Sequence, residues 1–336
     1  MLEAPQMLAL FHQVYAGHEQ PPAVASQSKL WEAWLDKTLD PKEVSRANLG
    51  RVALELANVC IDGGYSMAPD SVAAAWRRRW EEGLNNRPAE IAAGMDELER
   101  LAHAGVLRLT AEGRWDWVSD GLAEHMFSRA LRARGWPPGA EQVRSWLGLP
   151  ATPRLDGALV LVAGQMWRDQ GVGLEALAEL LAGGARGRDI FGAALAGAAP
   201  RVGAGGEQRG VEEFAARLGR LRAWLEEGPG RREQCAGLVG AILWKSSLLL
   251  ENRWGAGLSL LRMLEAANGA AERLAAAEPE NVEMRRSETL SCKRLGHLTA
   301  KTAPDTARTW FERGRTGRGG FQRQSGSSER SVGLLR

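Results

Sequence analysis

Apolar residues recur every three or four positions along most of this chain, and proline and glycine cut the recurrence into helix-length blocks. Met7, Leu8, Leu10, Phe11 and Val14 predict a first helix from Pro5 to about Tyr15, with Pro21-Pro22 as a break after it. Leu30, Trp31, Trp34, Leu35 and Leu39 predict a second, ending before Pro41. A third starts near Ser45, a good N-cap, and runs through Leu49, Val52, Leu56 and Val59 to a Gly63-Gly64 turn. Pro69 opens a fourth with Val72, Trp76 and Trp80 on one face, and a fifth, Ala89 to Ala104, carries Leu98, Leu101 and Ala102 before stopping at Gly105.

The period then changes. Val106, Leu107 and Leu109 face Trp115, Trp117 and Val118 across Ala111-Glu112-Gly113, a three-residue turn with glycine where a bulged hairpin wants it. A helix from Asp120 to about Arg134 follows. Helix, turn, helix, helix, hairpin is the connectivity of a winged helix-turn-helix, which binds DNA, packs on a partner or serves as one module of a switch.

Past Trp136-Pro137-Pro138-Gly139 the pattern is helical throughout, over Leu159–Trp167, Leu174–Leu181, Val211–Leu225 and Leu238–Leu250. Two glycine-rich stretches interrupt it, Gly183 to Gly187 and Gly203 to Gly210, the second being the expected mobile loop; it lacks the preceding strand and the Gly-Lys-Ser/Thr ending of a phosphate cradle. Blocks at Gly255–Leu264, Ala271–Ala277, Arg286–Thr299 and Pro304–Arg313 alternate as helix and turn, as in a solenoid whose units cannot bury their own faces. The pattern fades at Gly314. The expected organisation is a helical arm (1–44), a winged-helix module (45–135), a helical bundle or degenerate repeats (136–253), a helical repeat (254–313) and a disordered tail (314–336).

Composition narrows the functional classes. Over 336 residues, 43 basic and 41 acidic side chains leave a net charge of +2, so no global field draws the chain to nucleic acid or anionic membrane. The three cysteines, Cys60, Cys235 and Cys292, form no metal-ligand spacing and read as buried thiols. The longest apolar run, Cys235 to Leu250, is broken by Lys245 and two serines, too short for a membrane span, and a cytoplasmic protein is expected. Thirteen tryptophans against two tyrosines and six phenylalanines are unusual. Most sit on amphipathic patterns and read as wedges between helices rather than base-stacking platforms; a GC-rich coding bias also fits the abundant Ala, Gly and Arg.

Two stretches resemble known families. Leu2-Glu3-Ala4-Pro5-Gln6-Met7-Leu8-Ala9-Leu10 resembles the helix that follows the nucleotide-binding core of STAND-type signalling NTPases of the NACHT or AAA kind, and Leu30-Trp31-Glu32-Ala33-Trp34-Leu35 their next helical segment. Asn48 to Val72 with Met95 to Ala130 is similar to their winged-helix domain. Separately, Ala271-Glu272-Arg273-Leu274-Ala275-Ala276-Ala277-Glu278-Pro279-Glu280-Asn281 and Leu290 with Leu295-Gly296-His297-Leu298 are similar to a bacterial tetratricopeptide-like repeat. The resemblance implies a C-terminal portion of such an NTPase, a truncated or pseudogene-like product in one version. No Gly-x-x-x-x-Gly-Lys-Ser/Thr loop is present, so ATP hydrolysis has no phosphate cradle. Where related switches place a His-Asp pair that senses nucleotide, this chain has Ser119-Asp120.

No catalytic constellation emerges: Gly-x-Ser-x-Gly is absent, Glu124 and His125 are chain neighbours on different helix sides, and His103 and His125 read as surface or boundary histidines. No cofactor or metal is expected. The expectation is a mainly α protein acting by protein–protein interaction or regulation, with Arg285, Arg286, Lys293 and Arg294 as the contact face for a protein partner. The alternative is a winged-helix DNA-binding regulator gripping phosphates with Arg77, Arg78 and Arg79. Against it, the helix that would enter the groove carries Glu90, Asp96, Glu97 and Glu99, which argues against groove insertion and for protein packing; Asp96, Glu97 and Glu99 read as a solvated acidic face.

Overall fold

The computed structural model describes residues 5–16, 27–39, 49–63, 98–200, 208–228, 230–253 and 255–315. The expected Ser45 cap, the helix of Val72, Trp76 and Trp80, most of Ala89–Ala104, the loop at 201–207 and nearly all of the tail lie outside these residues. What is described is mainly helical, with one two-stranded sheet, and divides into two compact units. None of the described helices is long and apolar enough to cross a membrane.

The first unit holds residues up to Pro137 and Gly148–Val162. Helix α1 (Pro5–Tyr15) packs on α2 (Gln27–Thr38), and Lys37 Nζ donates to the Gln13 carbonyl at 2.8 Å, a cation closing a helix C-terminus. Helix α3 (Leu49–Gly63) buries Val52, Ala53, Leu56, Ala57 and Val59. A short helix α4 covers 98–103 and turns at Gly105, whose φ of +75° is the left-handed value a helix exit requires.

Strands β1 (Leu107–Leu109) and β2 (Trp115–Trp117) then pair antiparallel in the register Leu107↔Trp117, Arg108↔Asp116 and Leu109↔Trp115. The turn closes where the spacing predicts, with the Thr110 amide on the Arg114 carbonyl at 2.8 Å and Gly113 at φ +74°. Helix α5 (Asp120–Ala133) starts at Ser119, whose Oγ accepts the Leu122 amide, and packs on α3. Trp117 meets Phe127 edge-to-face at 6.1 Å between centroids, both fully buried.

Helix α7 (Pro153–Arg168) begins in the first unit, and from Ala163 onward its residues belong to the second. The second unit also holds α6 (Ala140–Leu147), α8 (Leu174–Ala182), α9 (Gly184–Ala198) and α10 (Gln208–Glu227). Helix α11 (Arg232–Gly240) continues through a π-helical segment, Ala241–Ser246, into Ser247–Leu250. The unit is completed by α12 (Gly257–Ala277), α13 (Val282–Thr299) and a helix α14 over 304–315. The separate blocks expected at Gly255–Leu264 and Ala271–Ala277 are in fact the one helix α12. Ala266, Ala267, Ala270 and Ala271 keep it a strong helix former across the join, and buried Asn268 is satisfied from α13 instead of breaking the turn. Asn281 caps α13 through the Met284 amide at 3.2 Å.

Helices α8, α9 and α11 approach so closely that glycine is required where they meet. A Cβ placed at Gly187 would lie 2.0 Å from the Leu180 carbonyl oxygen. At Gly237 it would lie 2.8 Å from the Leu181 oxygen, and at Gly192 2.8 Å from the Ala241 oxygen. Ser246 stitches the last crossing, its Oγ 2.8 Å from the Gly192 carbonyl. The glycine-rich stretch at 183–187 is thus a tight helix corner.

Gly187→Ala is expected to destabilise the protein by about 2 kcal/mol or more, because backbone must move to admit one methyl group. Gly197→Ala in the same helix, with nothing within 4 Å, is expected to change stability by less than about 1 kcal/mol, in the stabilising direction. Urea denaturation of both variants checks the contrast; equal effects would remove the close-approach explanation.

Candidate functional site

In the first unit ionisable groups gather at the hairpin around the buried Asp116. Arg154, from the first turn of α7, donates to Asp116 at 3.0 Å and to Asp120 at 2.7 Å, while Arg108 reaches Asp116 across the strand pair at 2.9 Å. Burial pushes the Asp116 carboxyl up, and hydrogen bonds from Arg108 and Arg154 override it, leaving the carboxylate below its ordinary range. Glu124 goes the other way: burial first, then the Asp120 charge, raises it against the pull of Arg154. Arg108 and Arg154 with Asp116 and Asp120 form an ion-pair network, and Glu124 lies within its field. Ser119 serves as helix cap and Asp120 as a partner of Arg154.

His125 departs from its expected place. It is fully buried on α5, whose neighbouring turns bury Leu122, Met126 and Phe127. Burial, with Arg129 and Arg132 adding repulsion, lowers its pKa from 6.5 to about 3, so the ring is neutral in the folded protein. His103 is exposed as expected, with Nδ1 2.8 Å from the Glu99 carbonyl oxygen. Arg134, the C-cap of α5, binds Asn58 Oδ1 at 2.9 Å and Asp62 at 2.7 Å on α3.

In the second unit Arg217 is buried on α10 and donates to the Met166 and Val172 carbonyls at 3.1 and 3.3 Å, beside the Trp167 ring. It closes the C-terminal end of α7 with a cation. Asn268 joins α12 to α13: its Oδ1 accepts from Ser291 Oγ at 2.8 Å and from Cys292 Sγ at 3.1 Å, and its Nδ2 donates to Glu272. Burial lifts the Cys60 thiol to about 12 and the Cys292 thiol to about 11, and raises Cys235 as well, so all three thiols stay protonated. Among the described residues no group of three or more His, Cys, Asp or Glu side chains is placed to hold a metal ion.

The four basic residues expected to meet a partner lie on α13 and do not converge. Arg286 and Lys293 share a face and are exposed. Arg285 and Arg294, nine residues apart, point to opposite sides of the helix. Arg294 is committed within the fold, to Glu251 at 3.3 Å and to Ser247. Arg77, Arg78 and Arg79 lie outside the described residues.

Lys293 belongs to a groove that the spacing alone did not identify. Along α13 and its cap, Thr289, Lys293, His297 and Ala300 form one wall; along α14, Pro304, Arg308, Phe311 and Arg315 form the other. The groove comprises two depressions of about 430 and 350 Å³ that meet at Phe311. The Phe311 ring lies against Gly296 and edge-on to His297, 5.2 Å between centroids, yet stays 40% exposed. Both walls use the spacing i, i+4, then i+7 or i+8, then i+11, so the signal was present in the sequence. What sequence could not supply was the pairing of the two rows across residues 301–303. With this geometry in hand, comparison with known proteins adds no relative: no family model, curated protein or solved structure matches the chain.

Because His125 is neutral when folded and protonated when unfolded below pH 6.5, the unfolded state binds the extra proton and stability falls as pH drops from 6.5 toward 3. The expected loss is about 1 kcal/mol per pH unit. Asp116, lowered, adds its own loss as pH falls below 3.8, whereas Glu124, raised by burial, contributes in the opposite sense as it protonates. The window from pH 6.5 to 5.5 is where the histidine's loss sets in. Urea denaturation across that window should show the slope in the native chain and its absence in His125→Gln; a slope shared by both would rule out this histidine as its source.

Proposed function

We propose that the chain is a non-catalytic, cytoplasmic interaction or regulatory module of the STAND signalling kind. In this reading the first unit corresponds to the helical and winged-helix arm, and the second to a helical array with tetratricopeptide-like pairs that engages a protein partner. The observation that carries the reading is how polar side chains in and around the core are used. Asn268 ties α12 to α13, Arg217 closes the end of α7, and Arg154 holds Asp116 and Asp120 at the hairpin. Each joins one element to another, and the Asp116 and Asp120 carboxylates sit against guanidinium groups. The hairpin α12–α13, with its Pro279-Glu280-Asn281 turn and Asn281 cap, supports the repeat reading.

The purified chain is expected to release no phosphate from ATP above a buffer blank and to cause no shift of duplex DNA in low salt. ATP turnover would overturn the proposal. A salt-dependent DNA shift, lost on combined replacement Arg77→Ala, Arg78→Ala and Arg79→Ala, would put the winged-helix regulator in its place.

A further inference from the structure

Surface arginines in the second unit are commonly neutralised where they stand: Arg144 by Glu179, Arg232 by Glu278, Arg262 by Glu265, Arg273 by Glu226 and Arg313 by Glu272. Other exposed cations, Arg286 on α13 among them, have no such partner among the described residues, and three of these cluster at the groove between α13 and α14. Lys293, Arg308 and Arg315 stand on its walls, and among the described residues no carboxylate pairs with any of them. His297 adds an imidazole to the same wall, and Glu312 is the single acidic residue lining the groove. Between these cations the floor is apolar, with the half-open face of Phe311 at its midpoint.

An apolar floor with cationic walls has a defined complement. From Thr289 to Ala300 the α13 wall runs about 16 Å at the rise of an α-helix, three turns long. Two neighbouring helices leave a trough that accepts a third helix by its apolar stripe. Carboxylates flanking that stripe would meet Lys293 on one side and Arg308 and Arg315 on the other. We propose that the groove between α13 and α14 docks an acidic amphipathic helix of a partner protein, its apolar stripe on Phe311 and its carboxylates on Lys293, Arg308 and Arg315. The assignment rests on the interaction reading above and gives it a surface and a partner chemistry. Charged walls set the choice of partner and its salt dependence, while the aromatic floor supplies the buried contact.

The test uses the full chain and a fluorescein-labelled helical peptide of about fourteen residues, built from glutamate and alanine with leucines at helical spacing. Its counterpart carries lysine in place of every glutamate. Fluorescence anisotropy is expected to show saturable binding of the glutamate peptide, weakening with added salt, and none of the lysine peptide. The double variant Lys293→Glu, Arg315→Glu and the single variant Phe311→Ala should each weaken binding about tenfold or more. Glu312→Gln, an exposed change that leaves the packing untouched, should strengthen it a few-fold, so a fold defect cannot mimic the whole pattern. Circular dichroism confirms that each variant keeps its helices. Equal binding of both peptides, affinity unmoved by the groove variants, or no binding of the glutamate peptide would each overturn the groove assignment. None of these outcomes touches the non-catalytic reading, which falls on ATP turnover instead.

Discussion

Carbonyl oxygens facing bare α-carbons set the geometry of the second unit. Where α8, α9 and α11 meet, Gly187, Gly192 and Gly237 each offer a backbone with no side chain to a carbonyl of the neighbouring helix. Interhelix distance at these points is limited by backbone atoms alone, which places the flanking leucines and alanines in full contact. The π-helical segment Ala241–Ser246 lies at one of these crossings, where Ser246 bonds both the Gly192 and the Ala241 carbonyls. A widened turn with a hydroxyl in it satisfies groups that a regular helix could not at so short a separation. Gly187, Gly192 and Gly237 are therefore packing residues, whatever the coding bias behind them.

Charge is handled differently in the two units, and in both cases locally. Around the hairpin, carboxylates and guanidinium groups neutralise one another at hydrogen-bond distance, so the two strands, the start of α5 and the start of α7 are held by one network. In the second unit Arg217 has carbonyl acceptors at a helix end, and Asn268 takes the place of a charge altogether. A neutral amide that both donates and accepts fixes the register of α12 against α13 without the desolvation cost of an ion pair.

The hairpin and the helices α1, α2, α3 and α5 were legible because each rests on a local signal, a 3.6-residue stripe, a proline or glycine stop or a glycine at the turn, whereas α6 and α9 were not read as elements. Gly105 and Gly113 show this most directly, since their positive φ is a property of the residue itself. What could not be read depends on distant partners. The alanine-rich middle of α12 looked like a gap between two helices because its apolar stripe is made of small side chains. His125 looked like a boundary residue because its burial depends on what packs around α5. The groove escaped for the same reason: its two rows are each regular, yet nothing in either row names the other. Of the four basic residues proposed on α13, only Lys293 falls on it, because a helix turns charges 100° apart at each step and a linear cluster is not a face.

The three sulfhydryls have a practical consequence. Cys60 lies in the first unit, Cys235 and Cys292 in the second, and each is enclosed by its neighbours. An alkylating reagent can reach them only when the surrounding structure opens, and its rate of reaction then measures how often that happens. Resolved residue by residue, the modification times would report the opening of each unit separately, in the native chain and without any introduced label.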